Sequence, residues 1–306
     1  MDALPSFISI SSLVGGLVEV ISISNITLGI TIAQCYVYMQ NWERDPKWVK
    51  VLAITIVLLE IGYTAFAQRV QYFYSVLAIE NPFLVIKIDW SVPAALILGV
   101  FAELAVQGFY IHRIWSFSKN LLLIIGTCLL LISRHGLFIN CIVDTLRFDT
   151  WPALQTGRGF KPSIISSMVV IMCTDAVIAT TMVYHLHRKH SQFKRTQTII
   201  SRLVLYFVGS GALLVAASAA MLICSLVAPN NLLWGGFVVL YARVLSNSFF
   251  GALNARQLLR NKGGETITFG TVSFHDESVV ASVELHKMQV QVDKDTFVAT
   301  DSTCGK

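Results

Sequence analysis

The sequence predicts an all-α integral membrane protein with seven transmembrane helices, an N-terminus on the outer side and a cytosolic C-terminal tail. Apolar residues make up 55% of the 306 residues and charged residues only 13%, whereas soluble domains carry about 25% charged residues. Up to Lys262 the charges lie mostly in short gaps between long apolar stretches. Lys and Arg are also unevenly divided between the two ends of those stretches, and this bias sets the predicted orientation.

Seven apolar stretches are each long enough to cross the hydrocarbon core of a bilayer, which takes about 20 residues. Helices are expected there, because a chain in lipid cannot leave backbone amide and carbonyl groups unpaired. The predicted helices are Leu13–Met39, Trp48–Val70, Val92–Ile114, Leu121–Val143, Ile164–His185, Leu203–Val227 and Leu232–Leu253. They define a transmembrane domain over residues 1–262.

The segment between the second and third stretches, Gln71–Trp90, contains two apolar patches that are too short to span. Asn81 and Pro82 separate these patches. We expect a loop on the outer membrane surface, with a re-entrant hairpin as the alternative.

The positive charges between the stretches fix which side is cytosolic. With the N-terminus outside, thirteen Lys and Arg residues lie on the inner side and only five on the outer side. An excess of Lys and Arg marks the cytosolic side of a membrane protein. We therefore expect a multi-pass protein with cytosolic inner loops, and the plasma membrane is the expected location.

The last part of the chain, residues 263–306, has many Ser, Thr and Asp residues and no spanning segment. This composition predicts a polar, disordered cytosolic tail. The chain also lacks a Walker loop, an HExxH motif and a GxSxG motif. We therefore expect no enzyme activity, catalytic residue, metal or cofactor. The basic residues at the ends of the stretches predict contact with lipid headgroups and not with nucleic acid.

Ionisable residues within the spans are the strongest functional signal, because each costs roughly 2.5–3.5 kcal/mol on insertion scales and needs a partner. Near mid-depth lie Glu60, Glu103, Asp175 and Arg243, and in the outer third lie Glu19, Arg134 and His135. We expect Glu60 and Arg243 to interact directly or through one water. If they do not, Glu103 and Asp175 are the other candidate partners of Arg243.

Helical spacing places several of these residues on polar faces. Glu60, Thr64 and Gln68 recur every four residues on the second helix, so they share one face. The same spacing relates Glu103 to Gln107 on the third helix and Arg243 to Asn247 on the seventh. Such stripes should turn inward. They favour a solvated cavity, and interhelical pairs that only fix the packing are the alternative.

The expected ligand-binding residues are Glu19, Glu60, Glu103, Gln107, Arg134, His135, Asp175, Arg243 and Asn247. They would form an intramembrane polar pocket that is open to the outer side.

Several segments of the sequence match a known pattern: Gln107–Trp115, Asp175–Tyr184, Phe193–Thr196, Ile199–Leu203 and Ser246–Arg256. These segments resemble a basidiomycete fungal family of uncharacterised seven-transmembrane integral membrane proteins, known only as a domain of unknown function. The resemblance covers most of Leu13–Arg260 and implies topology and a fungal source, but no biochemistry. The positions that match the family pattern are Arg113, Asp175, Lys194, Arg195, Thr196, Arg202, Asn254 and Arg256.

The leading functional hypothesis is a receptor-like sensor that binds a small molecule from the outer side and signals to a cytosolic partner. Its cytosolic coupling residues would be Arg113, Lys194, Arg195, Thr196, Arg202 and Arg256. The alternative is an ion- or proton-coupled transporter of a small solute, for which intramembrane carboxylates are suitable. Transporters often carry inverted repeats, and none is detectable in this sequence. Membrane lipids are the other expected partners.

Overall fold

The computed structural model describes residues 10–43, 45–157, 159–190, 197–228 and 231–261. Within these ranges, seven helices are long and apolar enough to cross a membrane. They are α1 (Ile10–Gln40), α2 (Lys47–Tyr72), α3 (Ser91–Ser118), α4 (Leu121–Arg147), α5 (Phe160–His190), α6 (Gln197–Val227) and α7 (Leu233–Asn261). The same ranges contain no β-strand. This is the architecture of a multi-pass membrane protein.

The seven predicted stretches are confirmed, and most of the helices are longer than predicted. For example, α6 begins at Gln197, six residues before Leu203, and α5 has 31 residues. At 1.5 Å per residue, α5 rises about 46 Å. A bilayer with its headgroups is about 40–45 Å thick, so the polar ends of such a helix lie in the headgroup region.

The helices form a closed ring in chain order, because each contacts the next and α7 returns to α1. Helix α7 also contacts α2 and α3, and it is the most buried of the seven. Many large apolar side chains on the other helices are exposed, including Leu58 and Leu122. These exposed side chains form the lipid-facing surface that the composition predicts.

The connection between α2 and α3 differs from the prediction of a surface loop. The helical structure continues after α2 as a π-helical turn, Phe73–Leu77, and then a short α-helical turn, Ala78–Glu80. Asn81 interrupts it, and its side chain accepts a hydrogen bond from Phe83 at the start of the 3-10 helix Pro82–Ile86. The loop prediction is wrong over these turns, because the first apolar patch extends α2.

Hydrogen bonds join this connection to the one between α4 and α5. The buried Tyr74 hydroxyl donates to the Lys87 carbonyl at 2.8 Å and accepts from Trp151 Nε1 at 2.8 Å. The Ile88 amide donates to the Asp149 carbonyl at 2.9 Å. Trp151 begins the short helix Trp151–Thr156 that precedes α5. The two connections therefore form one structured end of the bundle, on the same side as the start of α1.

The predicted tail of residues 263–306 lies outside the described residues. The orientation of the bundle relative to the two sides of the membrane stays a prediction.

Candidate functional site: a buried polar layer between two cavities

The first polar cluster, which we call the Arg243 cluster, joins α7 to α2. Arg243 Nη1 contacts Glu60 Oε2 and donates to the Glu60 backbone carbonyl at 3.0 Å. Arg243 Nη2 donates to Thr64 Oγ1 at 2.7 Å, and the Ser246 hydroxyl donates to Glu60 Oε1. The ring of Tyr63 lies 4.9 Å from Arg243 Cζ, a cation–π distance. The predicted pairing of Glu60 with Arg243 is confirmed, and it is direct.

The second polar cluster, which we call the Arg134 cluster, joins α3, α4, α5 and α7. Arg134 Nη2 donates to Glu103 Oε2 at 2.5 Å, and Arg134 Nη1 lies 3.5 Å from Asp175 Oδ1. The Tyr241 hydroxyl lies 3.0 and 2.8 Å from the two oxygens of Asp175. Arg134 is only 1% exposed, and its Cζ lies 5.2 Å from the centre of the Tyr241 ring.

The depth predicted for Arg134 is wrong. Helix α4 begins at Leu121 and ends at Arg147, so Arg134 is its middle residue and not part of its outer third. Its partners, Glu103 and Asp175, lie near mid-depth as predicted. The two clusters together therefore form one polar layer near the middle of the bundle.

The two clusters differ in charge. The Arg243 cluster has one carboxylate and one guanidinium, whereas the Arg134 cluster has two carboxylates and one guanidinium. His135 lies beside Arg134 and is 6% exposed, with Nδ1 2.9 Å from the Leu131 carbonyl oxygen and Nε2 without a partner. We assign a neutral imidazole, because an imidazolium would bury an unpaired N–H donor. The Arg134 cluster then carries one excess negative charge.

A cavity of about 30 Å³, the polar cavity, lies next to Asp175 between α3, α5, α6 and α7. Its polar lining residues are Gln107, Tyr110, Asp175, Ser210 and Ser248, and the rest of the wall, which is most of its surface, is apolar. Tyr110 and Ser248 share a hydrogen bond of 2.8 Å between their hydroxyls. A single water needs about 10–15 Å³ of such space, so the cavity can hold about two or three water-sized species.

Gln107 is the unusual residue of the polar cavity. It lies one helical turn beyond Glu103 on α3 and is only 1% exposed. Neither Oε1 nor Nε2 of its side chain has a hydrogen-bond partner. A buried amide without partners costs free energy unless water or an ion satisfies it.

A second cavity, the apolar cavity, measures about 70 Å³ and lies on the other side of the polar layer, towards the start of α1. Six aromatic rings line it: Tyr63, Tyr74, Phe138, Trp151, Phe160 and Trp234. The remaining lining is mostly aliphatic, and it includes Leu17, Ala67 and Val238. Tyr63 lines this cavity, and its ring also packs against Arg243. The apolar cavity and the polar layer are therefore in direct contact at Tyr63.

The structure therefore divides the nine predicted ligand-binding residues instead of placing them around one polar pocket. Five of them pair in the two clusters: Glu60, Glu103, Arg134, Asp175 and Arg243. Gln107 and His135 lie buried beside the Arg134 cluster, and Gln107 lines the polar cavity with Asp175. Five of the nine residues thus form interhelical pairs, as the alternative expected, and whether they also bind a ligand stays a prediction.

The other two predicted residues lie apart from the Arg134 cluster. Asn247 bridges α7 to α1, because its side-chain amide donates to the Thr27 carbonyl at 3.0 Å. Glu19 is exposed on α1. Gln68, expected on the inward face of α2 with Glu60, is exposed as well.

Of the predicted coupling residues, Arg113 lies partly buried near the end of α3. Arg202 and Arg256 lie within α6 and α7, but their side chains are outside the described part of the chain. Lys194, Arg195 and Thr196 lie outside it completely. Asn254, which matches the family pattern, donates to the Gln34 carbonyl at 2.8 Å and so ties α7 to α1.

Sequence reasoning missed Tyr241, Tyr63 and the polar role of Ser246. Ser246 is three residues after Arg243 and Tyr63 is three after Glu60, so each shares a face with an ionisable residue, whereas Tyr241, two residues before Arg243, lies on the opposite side of α7. A tyrosine within one turn of a buried charge is a detectable signal, since it supplies both a ring face and a donor.

Comparison with known proteins gives one match. Residues 171–258, from the middle of α5 to near the end of α7, match the model of a family of unknown function, DUF6534. No curated protein and no solved structure matches the chain. The matched segment contains Asp175, Tyr241 and Arg243, so it contributes to both polar clusters.

Proposed function

We propose that the protein is a receptor-like membrane sensor that binds a small apolar molecule in the apolar cavity. The observation that supports this proposal is that, among the described residues, six of the seven long helices line that cavity, α6 being the exception. A ligand there contacts nearly the whole ring of helices. It can therefore stabilise one arrangement of them over another, which is the thermodynamic requirement for a sensor.

The ligand class follows from the lining. The polar groups of Tyr74, Trp151 and Thr145 are already hydrogen-bonded to protein partners. Apart from Tyr63, Cys141 and Trp234, the rest of the wall has no polar side-chain group, so a strongly polar ligand would leave most of its own groups unpaired. Cavities of about 150 Å³ bind benzene, and this one measures about 70 Å³. We infer that it takes a narrow apolar group such as a short alkyl chain, and not the polar ligand that the sequence favours.

The route from the cavity to the rest of the bundle runs through Tyr63. A ligand that contacts the Tyr63 ring acts on Arg243, which is held by Glu60 and Thr64 on α2. Helix α7 also reaches α1 through Asn247 and Asn254. The sensor would then signal at the opposite end of the bundle, through Arg113, Arg202, Arg256 and the residues 194–196.

Saturable binding of an apolar probe tests the proposal. 1-Bromobutane quenches tryptophan fluorescence on contact, and Trp151 and Trp234 line the cavity. Protein in detergent micelles should show a saturable quenching component, in addition to the linear component from probe partitioned into the micelle. Linear quenching alone in the unmodified protein would contradict the proposal.

Two alanines of α2 give a matched pair of variants for this measurement. Ala67 lines the cavity and is 2% exposed, whereas Ala65 is exposed on the same helix. Ala67→Leu fills part of the cavity, so we expect at least a tenfold rise in the apparent Kd of the probe. Ala65→Leu adds the same atoms at the outer surface and should leave the Kd within twofold of the unmodified value.

A coupled transporter is the second candidate, and the polar cavity beside Asp175 is the observation that favours it. A carrier opens its site to each side of the membrane in turn. Sodium- or proton-driven flux in proteoliposomes, measured with an entrapped ion-sensitive dye, separates the two candidates. Flux that requires the protein favours the carrier, whereas saturable probe binding without flux favours the sensor.

The predicted orientation places the apolar cavity on the outer side. Single cysteines at Ser191 and Ser273 test it with an impermeant maleimide, using the unmodified protein as background. We expect labelling only after cells are permeabilised. Labelling of intact cells would place the apolar cavity on the cytosolic side and would rule out a sensor of outside molecules.

A further inference from the structure

We propose that the polar cavity is a binding site for a monovalent alkali cation, held by the Asp175 carboxylate, the Gln107 amide oxygen and water. The site lies on the opposite side of the polar layer from the apolar cavity. It is independent of the sensor proposal, because neither its ligand nor its residues are those of the apolar cavity.

The first observation is the excess charge. Arg134 is shared by Glu103 and Asp175, and the Asp175 contact is the longer, at 3.5 Å against 2.5 Å. Asp175 is therefore the less neutralised of the two carboxylates. An ionised group in an apolar interior is strongly unfavourable without a counter-charge. One monovalent cation brings the Arg134 cluster to neutrality.

The second observation is independent of charge. Gln107 is 1% exposed, lines the same cavity as Asp175, and has no hydrogen-bond partner on either side-chain atom. An amide oxygen is a good ligand for a hard cation, and the Nε2 donors can bond to a coordinating water. A buried glutamine with nothing to bond is explained by an occupant of the cavity.

The third observation is the remaining capacity for coordination. Among the described residues, Asp175 Oδ2 accepts a hydrogen bond only from Tyr241, so a carboxylate oxygen with two acceptor sites has one left.

The size and charge of the site select the cation class. The cavity of about 30 Å³ holds an ion with at most one or two waters. Calcium takes six to eight oxygen ligands, usually including several carboxylates, and magnesium keeps several waters. Neither suits one carboxylate and one amide in this volume. A monovalent ion such as Na⁺ fits both the single excess charge and the space.

A proton on a carboxylate is the competing way to remove the excess charge. The ionisable groups around Asp175 are Glu103 on α3, Arg134 and His135 on α4, and Tyr241 on α7. A proton would neutralise the cluster, but a separate water would then be needed to satisfy Gln107. The cation accounts for both observations.

Thermal unfolding of the full chain in detergent tests the site. The melting temperature is measured at constant pH and ionic strength in NaCl, KCl, LiCl and N-methylglucamine chloride. We expect one alkali cation to raise Tm by about 5 °C over N-methylglucamine, because a ligand that binds only the folded state stabilises it. Asp175→Asn should abolish the difference, and Gln107→Met should raise the half-saturating cation concentration at least tenfold. Glu80→Gln, at an exposed acid outside the polar layer, should retain the full difference.

Equal melting temperatures in all four salts would overturn the proposal. So would an unchanged cation dependence in Asp175→Asn or Gln107→Met. Stability that follows pH and not the cation would show that a proton neutralises Asp175, and would also overturn it. If Asp175→Asn does not fold, the salt series of the unmodified protein and of Gln107→Met still decides between these outcomes.

Discussion

The Arg243 cluster and the Arg134 cluster lie at similar depth in one bundle, yet they differ in charge and in surroundings. The Arg243 cluster is neutral, and its carboxylate and guanidinium are fully buried and bonded to Thr64 and Ser246, with Arg243 Nε left without a partner among the described residues. The Arg134 cluster has an excess carboxylate and adjoins a cavity with an unpartnered glutamine. A charge-balanced cluster fixes helix packing, whereas a cluster with an excess charge beside a cavity indicates a site for a missing partner.

Helix α7 serves both clusters. Tyr241 and Arg243 are two residues apart, so their side chains point about 200° apart around the helix axis. Tyr241 reaches Asp175 on α5, and Arg243 reaches Glu60 on α2. The Arg243 cluster and the Arg134 cluster are therefore both attached to α7, so a shift of α7 would alter both.

The largest loss of stability is expected from removing Arg134, the guanidinium that both carboxylates of the Arg134 cluster share. Arg134→Gln leaves Glu103 and Asp175 buried together without a counter-charge, so we expect a loss of at least about 5 kcal/mol of stability, or failure to fold. Arg147→Gln, at an exposed position of the same helix, is the control and should unfold like the unmodified protein. Size-exclusion profiles and Tm in detergent measure both. Normal folding of Arg134→Gln would show that the cluster does not depend on its charges.

In the Arg243 cluster, the stabilities of the Glu60 and Arg243 variants should be strongly coupled. Glu60→Gln and Arg243→Gln each leave one uncompensated buried charge, which costs about 3–5 kcal/mol, whereas removing both partners can be nearly neutral. We therefore expect each single variant to lower Tm clearly and the double variant to recover much of the loss. Additive losses in this double-mutant cycle would contradict a direct pair.

A smaller effect is expected at the wall of the polar cavity, where α5 and α6 approach closely. A Cβ built on Gly211 would lie 2.6 Å from Ala179 Cβ, whereas one built on Gly209 meets nothing within 4 Å. Both Gly211 and Ala179 line the cavity. Gly211→Ala should therefore separate the helices and cost about 1–3 kcal/mol, while Gly209→Ala should be neutral or slightly stabilising. Equal Tm values would mean that α5 and α6 are not in close contact there.

The seven helices could be predicted from the sequence because length and hydropathy alone decide whether a stretch can cross a bilayer. The pair of Glu60 and Arg243 could be predicted as well, since both lie at mid-depth and α7 contacts α2 in addition to its ring neighbours α1 and α6. The helical continuation of α2 to Glu80 could not, because the polar residue Gln71 resembles the start of a loop.

The Arg134 cluster and the two cavities could not be predicted for a different physical reason. Which face of α4 turns inward depends on packing against α3 and α5, and Arg134 satisfies acids on both neighbours at once. A cavity is space left between side chains of several helices, so no single segment carries its signal. Gln107 was identified on a polar face of α3, but only the structure shows that its amide has no partner.

The charge difference between the clusters is tested most directly by one chemical change made in each. Asp175→Asn removes the excess charge of the Arg134 cluster, whereas Glu60→Gln creates an uncompensated charge in the Arg243 cluster. In N-methylglucamine chloride, we expect Asp175→Asn to melt at or above the temperature of the unmodified protein. Glu60→Gln should lose about 3–5 kcal/mol of stability under the same conditions. Comparable losses in the two variants would contradict the assignment of the excess charge to the Arg134 cluster.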